Sequence, residues 1–187
     1  MNKEELLRKY AKGQRDLRLT NLAQADLQYV NLVGIDFSQA NLTEVNFTGA
    51  NLGKAVFYRT VVELGNFSQS DLGEADLREA NFSQSLFYKA SLFKSQLQKA
   101  NLNQVIAIRA FFRDANLNHA VLTSANLQQA NLTNADLRGA DLSNANLESA
   151  FLVGANLLGA SLVDANLERA ILTDAIMPDG TIYSDSK

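Results

Sequence analysis

Few residues in this chain have side chains suited to catalysis. There is no cysteine and a single histidine, His119, so the sequence excludes a thiolate nucleophile, a disulfide framework and a thiolate metal site. We expect His119 to be a solvated surface residue. Asp16 and Asp36 carry metal-binding groups, but Arg15 and Arg18 are their obvious counter-ions and no third carboxylate accompanies them. We therefore predict no catalytic residue, no metal site, no cofactor and no enzymatic activity.

The overall composition is that of a folded protein. The 187 residues are 47% hydrophobic and 20% charged, and the net charge is −3, values that exclude a disordered chain and a polyanion-binding tail. No apolar run approaches the length of a membrane span, and the segment that begins at Met1 has no apolar core of the kind found in secretion signals. We expect a cytoplasmic protein without membrane contacts.

A period of five residues runs through most of the chain. From Leu17 to Leu172, 32 consecutive fifth positions are apolar, and 30 of them are Leu or Phe; Val62 and Ala107 are the exceptions. The residue two places earlier is Ala in 21 of the 32 pentads, and the residue between the two is Asn or Asp in 21. A repeat this long without insertion predicts a repetitive architecture.

Neither a helix nor a flat strand suits a period of five. Five residues rotate about 500° on an α-helix, so the large apolar side chains would spiral around every face. On a flat strand, residues five apart point to opposite faces. The side chains share one interior only if the chain turns a corner in each pentad. The period therefore predicts a β-solenoid, with the large and the small apolar residues inside and three polar positions outside.

The motif Ala-(Asn/Asp)-Leu-X-X, seen in residues 130–134 and 135–139, resembles that of the pentapeptide-repeat family. The resemblance implies an all-β fold: a right-handed quadrilateral β-helix with four pentads per coil, and hence about eight coils. We assign residues 15–175 to this β-helix. The narrow square cross-section that the family implies explains why Ala is frequent at the second inward position.

The two ends differ from the repeat. Residues 1–14 contain a capping signal at Asn2, an apolar stripe at helical spacing and a stop signal at Gly13, which predict a short capping α-helix. Residues 176–187 begin with a turn at 178–180, after which the chain is expected to fold back over the last coil, and end in a frayed tail from Ser184. Both end segments resemble those of cytosolic cyanobacterial members of the family, one of which regulates heterocyst differentiation.

Outward positions where the repeat breaks are the candidates for function, because core packing does not require their residues. Six large apolar residues fall on two adjacent faces of two neighbouring coils, and Lys89, Lys94, Arg109 and Arg113 surround them. An apolar centre with a polar rim is typical of a protein interface. The six candidate protein-binding residues are Leu86, Tyr88, Phe93, Ile106, Ile108 and Phe111.

Three other features of the outer surface have structural interpretations. Because Ala107 stands where Leu is expected, residues 105–109 either keep the regular register or form a bulge that turns Ile106 or Ile108 inward. A second apolar cluster, at residues 56–64, is expected to be local packing. Two series of outward charges at 20-residue steps are expected to form ion-pair ladders. These series are Arg59, Glu79 and Lys99, and Lys54, Glu74, Lys94 and Asp114.

The favoured function is a non-catalytic, regulatory protein–protein interaction module. The partner is another protein of unknown identity, with no small-molecule substrate and no direct contact to nucleic acid, and the chain is expected to be a monomer.

The alternative is suggested by another branch of the family, whose members mimic DNA and bind the type II topoisomerase gyrase. Residues 115–187 are acidic, with 8 acidic and 3 basic side chains, but these acidic residues are expected to be distributed over all four faces, which disfavours mimicry of a phosphate backbone.

Overall fold

The computed structural model describes residues 1–184 and consists of one helix followed by a β-solenoid. Parallel β-bridges join 29 residue pairs, from Asp16–Asp36 to Asn156–Ile176, and the two members of each pair are 20 residues apart. Each bridge is a single residue pair, so the strands of the solenoid are one residue long. The constant 20-residue offset means that one coil takes four pentads.

The interior of the solenoid is filled by its own apolar side chains. The large inward residues, including Val62 and Ala107 at the two exceptional positions, are buried from Leu17 to Leu157, as are most of the Ala residues two places earlier. In the first half, neighbouring Phe rings contact one another at centroid distances of 4.9–6.3 Å. This series of rings is Phe37, Phe47, Phe57, Phe67, Phe82 and Phe87.

Small and polar residues fit the phenylalanine-rich half of the core. A side chain on Gly65 would place its Cβ 2.9 Å from the Phe67 ring, so glycine leaves the space that this ring needs. Four buried hydroxyls of this half donate to backbone carbonyls at 2.7–2.8 Å, which offsets the cost of burying them. These residues are Thr60, Ser70, Ser85 and Ser95.

Every backbone amide of a regular pentad has an acceptor, as residues 130–134 show. Three of the five amides donate to carbonyls of neighbouring coils, and a fourth closes a β-turn. The fifth, that of Thr133, donates at 3.0 Å to the Oδ1 atom of the Asn131 side chain. The same bond recurs through the solenoid, for example from Gly73 to Asp71 at 2.9 Å. This Asx bond explains why Asn or Asp is so frequent before the large inward residue.

The third residue of each β-turn has a left-handed backbone. Positive φ angles of 54–69° occur at every fifth residue from Leu19 to Asp174. Most of these residues are not glycine, although positive φ is uncommon for residues with a side chain. Gly139 is one of the glycines at these positions. A Cβ atom on Gly139 would lie 2.5 Å from the Nδ1 atom of His119, so a side chain there would clash with the His119 ring.

Helix α1, Lys3–Ala11, covers the first coil. The Asn2 side chain accepts a hydrogen bond from the Glu5 amide at 2.9 Å, and Gly13, with φ +86°, follows the end of the helix. Leu6 is buried in the solenoid core, and the Tyr10 hydroxyl donates to a backbone carbonyl of the first coil at 3.0 Å. Within residues 1–184, no helix is long and apolar enough to cross a membrane.

The other end of the solenoid is less completely covered. The chain reverses at Pro178–Gly180, and Ile182 forms an antiparallel bridge with Ile176. The Ile182 side chain is nevertheless 67% exposed, and the inward residues Leu162 and Leu167 are only partly buried. The C-terminal segment therefore borders the last coil and does not close it as the N-terminal helix closes the first. Residues 185–187 of the expected tail lie outside the described residues.

The inward and outward assignments predict unequal effects of two neighbouring substitutions. Leu127 is fully buried, whereas Asn126 contributes one Asx bond of 3.2 Å to the Gln128 amide. We expect Leu127→Ala to lower the free energy of unfolding by about 2–5 kcal/mol, because it leaves a cavity. Asn126→Ala should lower it by about 0.5–1.5 kcal/mol, the contribution of one hydrogen bond. Urea unfolding followed by circular dichroism measures both, and equal losses would contradict the assignment.

Candidate protein-binding surface

The six predicted residues lie together on the outside of two neighbouring coils. Leu86 and Ile106 are joined by a parallel bridge, and Phe111 is bridged to Ser91 on the adjacent face. Four of the six are 36–49% exposed, whereas Tyr88 and Ile108 are half-buried. We call these residues the apolar patch: Leu86, Tyr88, Phe93, Ile106, Ile108 and Phe111.

The register of residues 105–109 is regular. Ala107 is buried at the inward position, and Ile106 points outward with bridges to Leu86 and Asn126. The bulge that Ala107 suggested is therefore absent, and Ile106 remains part of the outer surface. The smaller Ala side chain is accommodated without a change in the course of the backbone.

The apolar patch also lacks several Asx bonds of the repeat. Leu86, Ile106 and Phe111 occupy positions where Asn or Asp usually accepts an amide, and their side chains have no acceptor atom. Within residues 1–184, the affected amides donate to no acceptor. The surface therefore combines exposed apolar side chains with unpaired backbone donors. These donors are the amides of Tyr88, Ile108 and Arg113; the amide of Phe93, which follows Ser91 in the equivalent position, also has no acceptor within residues 1–184.

The four basic residues around the patch form the basic rim: Lys89, Lys94, Arg109 and Arg113. Lys89 Nζ lies 5.2 Å from the Tyr88 ring centroid, and Lys94 Nζ lies 5.0 Å from that of Phe93. Arg109 Nε donates to the Gln129 side chain at 2.7 Å. Of the four, only Arg113 lies within 4 Å of a carboxylate in the described part of the chain, at 3.5 Å from Asp114.

The predicted ion-pair ladders are formed only in part. Arg59 lies 2.7 Å from Glu79, and Lys54 lies 3.8 Å from Glu74. Neither Lys99 nor Lys94 comes within 4 Å of a carboxylate in residues 1–184. The incomplete second ladder leaves the positive charge of Lys94 beside the apolar patch.

A surface groove extends the apolar patch by two coils. The cavity has a volume of about 490 Å³ and is lined on one side by Phe111, Asn131 and Phe151. Phe151 is 43% exposed, and it lies two coils from Phe111, or about 9.6 Å at the usual strand spacing. Phe151 is not among the six predicted residues, although its position, in place of Asn or Asp on the same face as Phe111, is the signal that identifies it. The other lining residues are Arg109, Gln129 and Ser149.

The second apolar cluster has its own local contacts. The Tyr58 hydroxyl lies 3.5 Å from a Glu79 carboxylate oxygen, and the Arg59 guanidinium lies 5.0 Å from the Tyr58 ring centroid. Val61 and Leu64 remain exposed on the other faces. Tyr58 therefore has local contacts, and for the cluster as a whole local packing stays a prediction.

Arginine neighbours bind the carboxylates that resembled metal ligands. Arg18 lies 2.7 Å from Asp16 and 3.8 Å from Asp36, and its hydrogen bonds lower the pKa of Asp16 to about 2. Bidentate bonds from Arg138, at 2.8 and 2.6 Å, likewise hold the pKa of Asp136 below its usual range. Within residues 1–184, no three His, Asp or Glu side chains are grouped as a metal site requires.

The ion pair of Asp136 should contribute to acid sensitivity. Its pKa is lower in the folded than in the unfolded chain, so the pair stabilises the fold above the unfolded pKa, near 4, and this contribution is lost as the pH falls through the folded value. Asp136→Asn keeps an Asx acceptor but cannot titrate. Between about pH 5 and about pH 2, we expect wild type to lose more free energy of unfolding than Asp136→Asn does. Urea titrations at several pH values test this expectation, which equal losses would refute.

Restoring the repeat at the patch should leave the fold intact. The triple variant Leu86→Asn, Ile106→Asn, Phe111→Asn exchanges half-exposed apolar side chains for acceptors of three unpaired amides. A gain of about 0.5–1.5 kcal/mol per bond offsets a similar loss of apolar burial, so we expect the free energy of unfolding to stay within about 2 kcal/mol of wild type. The control Phe87→Asn, at a buried position, should cost more than about 3 kcal/mol. Strong destabilisation by the triple variant would show that the patch serves folding.

Comparison with known proteins identifies the class to which the chain belongs. A family model of pentapeptide repeats matches eight copies, in residues 20–57, 66–104, 107–139 and 140–177. The chain belongs to the pentapeptide-repeat family, as the Ala-(Asn/Asp)-Leu motif predicted. Among curated proteins, none matches the chain.

Solved structures of cyanobacterial proteins are similar over nearly the whole chain. HetL from Nostoc sp. strain PCC 7120, a pentapeptide repeat protein involved in heterocyst differentiation regulation, is 34% identical. The alignment covers 98% of this chain and 100% of HetL, with a TM-score of 0.32, so the relationship rests on sequence. Rfr23 from Cyanothece 51142 is 20% identical over 97% of this chain and 98% of its own, with a TM-score of 0.33.

A third solved structure supports the fold alone. QnrB1, a plasmid-mediated fluoroquinolone resistance protein, is 18% identical over 87% of this chain and 84% of its own length. Its TM-score is 0.54. At this identity the likeness supports the pentapeptide-repeat β-helix and carries no functional assignment.

Proposed function

We propose that this chain is a non-catalytic module that binds another protein through the apolar patch. The observation that carries the proposal is the simultaneous loss of Asx bonds and gain of exposed apolar side chains at Leu86, Ile106 and Phe111. Core packing at the neighbouring inward positions does not require these residues, since Phe87, Ala107 and Phe112 already occupy those positions. A contiguous exposed apolar surface of this kind is typical of interaction sites.

The rest of the rod suits binding better than catalysis. The inward columns are occupied by the chain's own Leu, Phe and Ala side chains, whereas active sites are usually concave and partly apolar pockets. His119 lies against the backbone of Gly139 on an exposed edge. A solenoid held by hydrogen bonds in every pentad loses little conformational entropy when it docks, which favours binding.

Further parts of the proposal concern architecture and cellular role. We propose a right-handed β-helix of about eight coils over residues 15–175, with a cap at 1–14 and a C-terminal segment at 176–187. The 34% identity with HetL supports a regulatory role. We further propose that the protein acts in the cytoplasm as a monomer.

The alternative, binding to gyrase by imitation of DNA, has less support. Acidic residues of the C-terminal half occupy different faces: Asp136 and Asp141 are outward residues of successive pentads and so lie on adjacent faces. Asp136 is also paired with Arg138. A phosphate backbone presents a dense and unneutralised line of charge, which these residues do not form.

The triple variant tests the proposed function. We expect immobilised wild-type protein to capture a partner from a lysate of its own organism, and the variant Leu86→Asn, Ile106→Asn, Phe111→Asn to lose that partner. The reason is that the variant removes three exposed apolar side chains while keeping the solenoid. Mass spectrometry identifies the captured protein, and purified gyrase is included as a direct test of the alternative.

A matched control uses apolar residues that lie outside the apolar patch. Val61→Asn, Val121→Asn replaces two exposed apolar residues at equivalent positions on another face and should leave capture unchanged. Capture of the same partner by wild type and the triple variant would refute the assignment of the patch. Gyrase binding by both proteins would favour the alternative function.

A further inference from the structure

We propose that the partner presents an acidic segment with apolar side chains to this surface. This inference rests on the proposed function, since it names the chemistry of the segment that the apolar patch and the basic rim would bind. Three properties of the surface carry it: its charge, its unpaired hydrogen-bond donors and the groove beside Phe111.

The local charge is opposite to that of the whole chain. Residues 86–94 contain two lysines and no acidic residue, and residues 106–114 contain two arginines and one aspartate. The two segments therefore carry a net charge of +3, in a chain whose net charge is −3. Like charges gathered on one surface attract a partner of the opposite sign.

The basic rim is also less neutralised than three arginines elsewhere in the solenoid. Arg59, Arg78 and Arg138 each lie 2.6–2.7 Å from a carboxylate. In residues 1–184, Lys89, Lys94 and Arg109 have no carboxylate within 4 Å. Arg109 is held instead by the neutral Gln129 side chain, which an incoming carboxylate can replace with a stronger, charge-assisted bond.

Hydrogen-bonding groups of the patch point to the same partner chemistry. Each replacement of Asn or Asp by Leu86, Ile106 or Phe111 removes one side-chain acceptor and leaves one amide donor unpaired. Relative to a regular pentad, the surface has therefore lost acceptors and gained donors. Carboxylates and peptide carbonyls are acceptors, so an acidic peptide satisfies donors that an interface would otherwise bury without a partner.

The groove provides a place for an apolar side chain. Phe111 and Phe151 border the cavity of about 490 Å³, and Arg109 lies at its edge. An aliphatic or aromatic side chain between the two rings would bury apolar surface on both sides. A carboxylate near it in the peptide sequence would lie within reach of Arg109. The expected segment thus has an apolar residue with acidic residues close by.

A nucleic acid fits these features less well. Phosphates also bind basic residues and amides, but binding to a nucleic-acid backbone needs a continuous basic track. Here four basic residues surround an apolar centre of two coils. A nucleic acid would leave Leu86 and Ile106 buried against a charged backbone, which is unfavourable.

Selection from a random peptide library tests the proposal even though the partner is unidentified. The full chain is immobilised, phage-displayed random peptides are selected on it, and the enriched peptides are synthesised with a fluorescent label. We expect enriched sequences that combine Asp or Glu with Leu, Phe or Trp. Their binding, measured by fluorescence anisotropy, should weaken at least about tenfold when salt is raised from about 0.05 to about 0.5 M.

Two charge variants locate the binding. Lys89→Gln, Arg109→Gln removes two of the four positive charges of the basic rim and should weaken binding of the acidic peptides at least about tenfold. The control Arg59→Gln, Lys99→Gln removes the same charge from equivalent turn positions on another edge and should change binding less than about twofold. The triple variant Leu86→Asn, Ile106→Asn, Phe111→Asn should also lose the peptides, because the apolar contacts are required.

The outcomes separate this proposal from the proposed function. If the enriched peptides are neutral or basic and do not bind the triple variant, the proposal of an acidic partner is refuted, whereas the assignment of the binding surface is retained. The proposal that an acidic segment binds this surface would be refuted if no peptide is enriched. It would also be refuted if the enriched peptides bind the triple variant as well as they bind wild type. Tighter binding of a labelled single-stranded or duplex DNA, lost in Lys89→Gln, Arg109→Gln alone, would assign the surface to nucleic acid instead.

Discussion

The structure depends on how each pentad satisfies its five backbone amides. Three amides bond to neighbouring coils, one closes a turn, and one donates to an Asn or Asp side chain. With the coil fixed at 20 residues by these bonds, only two side chains per pentad can point inward. One is large and the other small because four corners must fill a narrow interior at close-packed density. The pattern of the sequence is thus a consequence of the hydrogen-bond scheme.

The same scheme requires a left-handed residue in every turn. Non-glycine residues fill 27 of these positions, although each costs about 1–2 kcal/mol relative to ordinary conformations. Hydrogen bonds to neighbouring coils on both sides of the turn over-determine its backbone, so the conformation persists with Lys, Glu or Gln. These side chains point outward, and the unneutralised cations of the basic rim, Lys89, Lys94 and Arg109, lie at such positions.

At the proposed binding surface the hydrogen-bond scheme is incomplete. Leu86, Ile106 and Phe111 each remove an Asx acceptor, and the backbone keeps its course because the bonds between coils remain. The rod thereby tolerates an apolar surface that a less repetitive fold would have to stabilise by other contacts. The two ends of the solenoid are covered to different extents: α1 buries Leu6 on the first coil, whereas Leu162 and Leu167 at the other end are only partly covered.

The sequence alone determined the repeat, the inward and outward positions, the helix at the N-terminus and the six residues of the apolar patch. These features follow from a strict period, which relates every residue to its neighbours in adjacent coils. The tertiary structure decided the register at Ala107, the incomplete ladder that leaves Lys94 unpaired, and the groove between Phe111 and Phe151. Such features depend on side-chain geometry and on atoms two coils apart: a period predicts which residues are neighbours, but not which of them make contact.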